Sequence, residues 1–160
     1  MIEYGAALNT GYATMEATFL NKYKIDDDYS RIDFDKLQRW LSSAYWSIGI
    51  GKEEIEKGAR NSSIVVGAYL AQEQVAFLRV VSDKTRFAYF LDVFVDEDHR
   101  RQGLAKALIN HVFEHPDFKD VYMWLLATRN AHPVYRELGF KPLENPQDWM
   151  IISRGRVNRL

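Results

Sequence analysis

One stretch of the sequence passes from a strand to a helix through a short charged loop, and it constrains the fold more than any other. Residues Phe87 to Val95 are rich in aromatic and β-branched types, a composition typical of a strand. A charged segment, Asp96 to Arg101, follows. Apolar residues then recur at helical spacing, at Leu104, Ala107, Leu108 and Val112. The sequence therefore predicts a strand, a tight loop and a helix, with the turn at residues 100–105.

The turn has the properties of an anion site. The first N–H groups of a helix lack backbone partners and carry partial positive charge, which attracts phosphate. Gly103 has no Cβ, so the backbone there can approach an anion closely, and Ala105 is nearly as small. Arg100 and Arg101 add full positive charges and forked donors. We interpret the turn as a diphosphate cradle; the alternative is an ordinary strand-to-helix turn with solvated arginines.

Two common phosphate-binding loops are excluded at this turn. A Walker loop ends in Gly-Lys-Ser/Thr, which is absent here. A dinucleotide fingerprint needs several glycines, and only Gly103 lies in the turn.

The stretch resembles the pyrophosphate-binding motif of the GNAT family of N-acetyltransferases, in which a valine-rich strand precedes Gln/Arg-x-x-Gly-x-Gly/Ala at a helix start. The strand and turn positions of that motif are matched by Val93, Val95, Arg100, Gly103 and Ala105. A second family motif, A-x-x-x-Y-x-x-x-G-F, is matched downstream by Ala131, Tyr135, Gly139 and Phe140. The resemblance extends roughly from Ile64 to Ile152 and fades towards the N-terminus.

The resemblance implies an α/β (α+β) fold: a mixed, mostly antiparallel central sheet with a splayed parallel strand pair and helices on both faces. The pattern of apolar residues predicts strands at Phe19 to Ile25, Ile64 to Leu70, Gln74 to Ser82, Phe87 to Val95, Val121 to Ala127 and Trp149 to Ser153. It predicts helices from Asp33 or Asp35 to Tyr45, over Lys52 to Arg60, from residue 104 to His115, and over Ala131 to Leu138. We expect residues 1–17 to be a loose lead-in, 18–155 a single acetyltransferase domain and 156–160 a tail.

The resemblance also implies acetyl-CoA as cosubstrate. The pantetheine arm is expected to lie between the splayed strands and to pair with free backbone groups there. The residues predicted to bind it are Val93, Phe94, Val95, Arg100, Arg101, Gln102, Gly103, Leu104, Ala105, Lys106, Thr128 and Asn130. Thr128 stands where the family often has an asparagine that bonds to pantetheine. Asn130 is close by but out of register, and a helix cap is its simpler interpretation.

Tyr135 corresponds to the family tyrosine that protonates the CoA sulfur. A phenol with a pKa near ~10 is protonated at neutral pH and can donate to a thiolate, for which cysteine, with a pKa of about 8.5, is the model. The alternative is a tyrosine that only packs within its helix.

The base is the less certain catalytic group. Many family members carry an acidic pair just before the valine-rich strand segment, whereas here the pair is Leu91-Asp92. Asp92 is the remaining candidate, either to attract a cationic amine or to pass a proton to water. A capping contact or a core salt bridge is the alternative, and a water relay is then the plausible route for the proton.

Aromatic residues are the candidates for the acceptor pocket. Trp46 lies in an aromatic and glycine-rich connection that covers the acceptor in the family, and Trp149 follows a Pro-containing loop. We assign Trp46, Asp92 and Trp149 to the substrate site. Tyr45 is expected to pack on the sheet and Trp124 in the core.

Composition limits the function further. The 21 basic and 22 acidic residues nearly balance, which argues against nucleic acid as a partner, and no apolar run is long enough to span a membrane. Cysteine is absent, which excludes disulfides and a covalent cysteine intermediate, and the four histidines show no metal-ligand spacing. The first residues lack the features of a secretory signal, so we expect a cytoplasmic location.

We therefore predict an acetyl-CoA-dependent N-acetyltransferase that needs no metal and acts on a small-molecule amine, without an acyl-enzyme. The rival hypothesis is a catalytically silent CoA-binding sensor or interaction module. The oligomeric state is left open between a monomer and a homodimer.

Overall fold

The computed structural model describes residues 21–153, which form a mixed sheet with helices on both faces. The strands, in sheet order, are β1 (Tyr23–Asp26), β2 (Ile64–Leu70), β3 (Glu73–Ser82), β4 (Phe87–Val95) and β5 (Met123–Leu125). The helices are α1 (Phe34–Ser43), α2 (Lys52–Arg60), α3 (Leu104–Glu114) and α4 (His132–Glu137). The predicted lead-in and tail, and the start of the predicted first strand, lie outside the described residues.

The first four strands form an antiparallel meander, and β5 joins β4 in parallel. The turns from β2 to β3 and from β3 to β4 are short, whereas the connection from β1 to β2 contains α1 and α2. The crossover from β4 through α3 to β5 brings β5 back in the same direction as β4, as such a connection requires. The predicted α/β class, with a mostly antiparallel sheet and one parallel pair, is confirmed.

Helix α3 covers one face of the sheet. Its buried residues recur on a single side, so the helix presents one apolar stripe to the strands: Leu104, Leu108, Ile109 and Val112. Each is at most 1% exposed and packs in a cluster with β2, β3 and β4. Burial of such a side chain contributes about 1.5–3 kcal/mol, so this stripe fixes the position of α3 on the sheet.

Helices α1 and α2 cover the opposite face, where Leu37 and Leu41 pack with Ile55 against the strand residues Val65 and Phe77. Asp33 begins α1, because its carboxylate accepts a hydrogen bond from Lys36 N at 2.9 Å. Of the two caps that the sequence allowed, Asp33 is the one used.

The β4 strand departs from regular pairing twice along its length. Against β3 the register shifts between Phe77, which pairs with Phe94, and Arg79, which pairs with Leu91. One residue of β3 therefore opposes two of β4, which is a β-bulge. Against β5 the pairing ends at Tyr89, although β4 continues to Val95. The two parallel strands thus separate, and residues 90–95 keep one edge free of β5.

Two strand predictions need correction. The strand expected over Val121 to Ala127 has only the three residues of β5, because β4 diverges after Tyr89 and offers no further ladder. Trp149 to Ser153 carry no strand at all, although their composition favours one. Within the described chain no strand pairs with them, and the side chains of Met150, Ile151 and Ile152 are 69–98% exposed. β-propensity alone does not form a strand without a neighbour to pair with.

None of the helices within residues 21–153 has the combined length and apolar character needed to cross a bilayer.

Candidate active site

Two of the last three residues in the loop between β4 and α3 have left-handed backbone. Arg101 has φ of 59° and Gly103 has φ of 79°, and Gly103 is the N-cap of α3. The first intrahelical bond joins Ala107 N to Gly103 O at 2.9 Å, and no side chain caps the helix. No acidic residue lies in the first turn. The N–H groups at this helix start are therefore directed at a site where an anion would be stabilised.

Arg100 links this loop to the end of β4. Its Nε donates to Val95 O at 3.0 Å, its Nη1 lies 3.4 Å from Glu97, and its guanidinium is 5.7 Å from the centre of the Phe94 ring. The side chain is half-exposed. Arg100 thus braces the strand end and keeps only part of its donor set for a ligand.

A contact from β1 holds the loop from the other side. The hydroxyl of Tyr23 donates to Gln102 Oε1 at 2.9 Å and lies 2.8 Å from His99 Nδ1. Because the hydroxyl has one proton and gives it to Gln102, His99 must donate through Nδ1. The Gln102 side chain is therefore engaged within the fold. No sequence pattern indicates this role of Tyr23, which lies 76 residues before His99.

Successive residues of β4 direct their backbone N–H and C=O groups alternately towards β3 and away from it, and the groups directed away form the free edge of the strand. Asp96 N donates to Val75 O on β3 at 2.9 Å, so the backbone of the preceding residue, Val95, points away from β3. The side chains of Val93 and Val95 pack against the core, while Phe94 stacks on Trp40 with ring centres 5.1 Å apart. The contribution of this strand to ligand binding therefore comes through its main chain.

Asp92 lies in the bulge of β4 with φ of 53°, a conformation uncommon for a residue with a Cβ. Its side chain is 10% exposed, and both carboxylate oxygens accept hydrogen bonds. Oδ2 accepts from Arg79 Nε at 2.6 Å and Oδ1 from Trp46 Nε1 at 3.2 Å. Of the alternatives that the sequence left open for Asp92, the structure shows the salt bridge, and it also brings Asp92 and Trp46 together.

Tyr135 is half-buried on α4, with its ring 5.9 Å from that of Phe140 in an edge-to-face contact. Burial, with a smaller contribution from Tyr45, raises the pKa of Tyr135 to about 12. Its hydroxyl makes no hydrogen bond to the rest of the described chain. The phenol is therefore neutral at physiological pH, with its proton available to a ligand.

Tyr45 connects the loop after α1 to the loop after β5. Its hydroxyl accepts from Arg129 N at 2.9 Å, and the Arg129 guanidinium lies 5.0 Å from its ring centre. Its ring also meets that of Trp46 edge to face at 4.9 Å. The prediction that Tyr45 packs on the sheet is therefore wrong, because these loop contacts hold it instead. The sequence did not indicate Arg79 or Arg129 as part of this region.

The remaining predicted cofactor residues lie near the start of α4 and in the first turn of α3. Thr128 Oγ1 accepts from Ala131 N at 3.1 Å, so Thr128 makes the local turn that the sequence attributed to Asn130. The Asn130 cap is wrong, since the N-cap residue of α4 is Ala131. Lys106 forms a salt bridge of 2.9 Å to Glu137. Leu104 is buried, so only its backbone faces a ligand.

Trp149 is not brought to these residues. It lines an open groove of about 520 Å³ on the outer side of β5, together with Trp124, Phe140 and Leu143. Trp124 packs against the core, as predicted, and stacks with Phe90 at 5.4 Å. The structure therefore joins Trp46 to Asp92 by a hydrogen bond and leaves Trp149 outside, while Tyr135 lies on α4 beside Phe140.

Comparison with known proteins gives one family. A model described as an acetyltransferase (GNAT) domain matches residues 61–142. A GNAT-family protein from Xanthomonas campestris pv. campestris is 35% identical with a TM-score of 0.77, covering 84% of this chain and 95% of that one. A GNAT-family acetyltransferase from Streptococcus pneumoniae TIGR4 is 23% identical with a TM-score of 0.64, covering 84% and 97%. An aminoglycoside acetyltransferase from an uncultured soil metagenomic sample is 19% identical with a TM-score of 0.59, covering 76% and 93%. No protein of curated function matches the chain.

Proposed function

Because the chain belongs to the GNAT family of acetyltransferases, we propose that it moves the acetyl group of acetyl-CoA directly to the amine of a small-molecule acceptor. The observation that carries this proposal is the open edge of β4, which lies between the uncapped start of α3 and a strand that diverges from it. The uncapped start of α3 suits a diphosphate, and the open edge of β4 suits an arm that contains amide groups.

The residues present fit the CoA moiety. The main-chain N–H groups from Gly103 to Lys106, at a helix start without acidic neighbours, suit the diphosphate. Arg101 and the free donors of Arg100 add charge beside it. The outward-facing N–H of Val95 and the backbone of Val93 suit the amides of pantetheine, and we assign Phe94, Gln102 and Ala105 to the same ligand. We assign Thr128 and Asn130, in the loop before α4, to the same ligand.

Acetyl-CoA supplies an acetyl thioester, whose carbonyl carbon bonds to the acceptor nitrogen as its C–S bond breaks. Tyr135 donates its proton to the leaving sulfur. Its neutral phenol at physiological pH supports this role. The acceptor nitrogen loses a proton to solvent, and Tyr135 regains one from there.

Asp92 is proposed to bind the acceptor amine. A carboxylate has about four lone-pair positions, and two hydrogen bonds occupy only part of them. Because Trp46 and Arg79 fix the orientation of the Asp92 carboxylate, its remaining lone pairs have fixed directions. Proton removal then proceeds through water and not by direct transfer to an unpaired carboxylate.

The experiment is acceptor-dependent release of CoA, followed with a thiol reagent, over a panel of primary amines. We expect turnover in the wild type and a loss of about 100-fold or more in kcat for Tyr135→Phe, the typical contribution of a general acid. The control is Tyr122→Phe, because Tyr122 is 70% exposed and lies away from the site. An unchanged kcat in Tyr135→Phe would contradict the acid role.

One observation favours the rival hypothesis of a catalytically silent CoA-binding module. The Asp92 carboxylate is already paired with Arg79, so the site lacks an unpaired carboxylate base. Calorimetric binding of acetyl-CoA together with no CoA release on any amine would support this rival. Release with any amine would exclude it.

A further inference from the structure

We propose that the acceptor carries a carboxylate beside its amine and that Arg129 binds this carboxylate, an inference that rests on the proposed function and narrows its substrate class. The side chains concerned are called the acceptor cluster: Tyr45, Trp46, Arg79, Asp92, Arg129 and Tyr135. The contacts described above join five of them, from the Asp92 salt bridge through the rings of Trp46 and Tyr45 to Arg129, and Tyr135 is included as the acid of the proposed reaction.

The charges of the acceptor cluster do not balance. Asp92 is its single acidic member, and Arg79 neutralises it at 2.6 Å. The guanidinium of Arg79 is also held by Ser62 Oγ, at 3.4 Å from Nη1. The charges of this pair cancel, so Arg129 leaves the cluster with one uncompensated positive charge.

Arg129 is held in position by its backbone and its ring contact, while the N–H donors of its guanidinium make no hydrogen bond within residues 21–153. Its backbone N–H donates to the Tyr45 hydroxyl, and its guanidinium lies over the same ring at 5.0 Å. These two contacts hold the residue in place. Within residues 21–153 its guanidinium has neither an ion pair nor a hydrogen bond. Five N–H donors in a fork are therefore available to an incoming group, and a carboxylate matches that geometry in bidentate fashion.

Tyr45 lies between the residues proposed to bind the amine of the acceptor and Arg129, which is proposed to bind its carboxylate. The Tyr45 ring contacts that of Trp46, whose Nε1 donates to Asp92, and the Arg129 guanidinium lies over the Tyr45 ring. An acceptor with its amine beside Tyr135 and Asp92 thus has its carboxylate within the region that Arg129 reaches. A polycationic acceptor meets the opposite situation, because its further ammonium groups face Arg129 and a neutralised Asp92.

The test uses matched acceptors: the common α-amino acids, the carboxamide and the decarboxylated amine of each, and spermidine and an aminoglycoside as polycations. We expect at least one amino acid to exceed both its carboxamide and its decarboxylated amine by about 10- to 100-fold in kcat/KM, the range for one charge-assisted interaction. In Arg129→Gln this ratio falls towards one, mainly through KM, and Arg129→Lys restores part of it. Arg136→Gln, an exposed arginine on α4, is the matched control and keeps the ratio.

A second readout needs no catalysis. The N-acetyl amino acids and the matching N-acetyl amines are titrated into the protein loaded with CoA, and we expect the carboxylate form to bind more tightly in the wild type but not in Arg129→Gln. Preference for a decarboxylated amine or a polycation would overturn the inference while leaving the proposed function intact. Arg129→Gln that weakens acetyl-CoA binding instead would assign Arg129 to the cofactor and overturn it too. No turnover of any acceptor, with selective binding of the carboxylate form preserved, would contradict the proposed function and support the inference.

Discussion

Arg79 Nε lies 2.6 Å from Asp92 Oδ2 and joins β3 to β4 at the point where the pairing register between them shifts. The ion pair therefore stabilises the bulge that gives Asp92 its backbone φ of 53°.

Asp92→Ala is expected to lower the free energy of unfolding by about 2–4 kcal/mol. The change leaves the partly buried Arg79 without its partner and places alanine in a left-handed conformation. Asp92→Asn is expected to cost less, because asparagine tolerates that conformation. Urea denaturation of the three proteins measures both effects. Equal stability of the alanine and asparagine variants would contradict the strain at this position.

Gly67→Ala is expected to destabilise the fold by about 1–3 kcal/mol through overpacking. A Cβ at position 67 would collide with the Tyr69 hydroxyl and lie 2.7 Å from its Cζ, and Tyr69 is only 1% exposed. Gly51→Ala is the control, since a Cβ there meets nothing within 4 Å. Thermal or urea unfolding gives the comparison, and similar losses in both variants would show that space around Gly67 is not limiting.

Tyr69 is expected to make the fold sensitive to alkali. Its hydroxyl is buried without a hydrogen-bond partner, and burial raises its pKa to about 12. Between about pH 10 and 12 the unfolded chain loses this proton while the folded chain keeps it, so stability is full below pH 10 and falls as the pH rises.

The slope of unfolding free energy against pH in that window should therefore be smaller in Tyr69→Phe, by up to about 1.4 kcal/mol per pH unit. At neutral pH the variant should be at least as stable as the wild type, because an unpaired buried hydroxyl is removed. Tyr122→Phe, in which an exposed ring changes, serves as control. A slope in Tyr69→Phe equal to that of the wild type would refute this origin of alkaline sensitivity.

Local sequence signals predicted most of the scaffold. The bounds of β2, β4 and α2 agree with those expected, because apolar runs or stripes there are bounded by clear turn residues. Gly103 was expected at the head of α3 and is found there with positive φ. The strand expected at residues 149–153 failed because its apolar residues have no neighbouring strand among the described residues.

The site could be predicted only in part, since its decisive contacts are long-range. The pairing of Asp92 with Arg79 depends on a register shift that no local pattern encodes. The contact of Tyr45 with Arg129 joins residues 84 positions apart. Tyr135 and Asp92 became candidates because of the family resemblance, whereas Arg79 and Arg129 belong to no motif and became candidates through their contacts in the structure.

The central claim is that the start of α3 binds the diphosphate of acetyl-CoA, and calorimetric titration of acetyl-CoA tests it most directly. Gly49→Ala is the matched control, because Gly49 has φ of 71°, close to the 79° of Gly103, so an alanine introduces similar backbone strain away from this helix. We predict saturable binding in the wild type and in Gly49→Ala, and an affinity at least about 10-fold lower in Gly103→Glu, whose carboxylate meets the phosphates. Absence of binding to the wild type, or equal affinity in Gly103→Glu, would contradict the account.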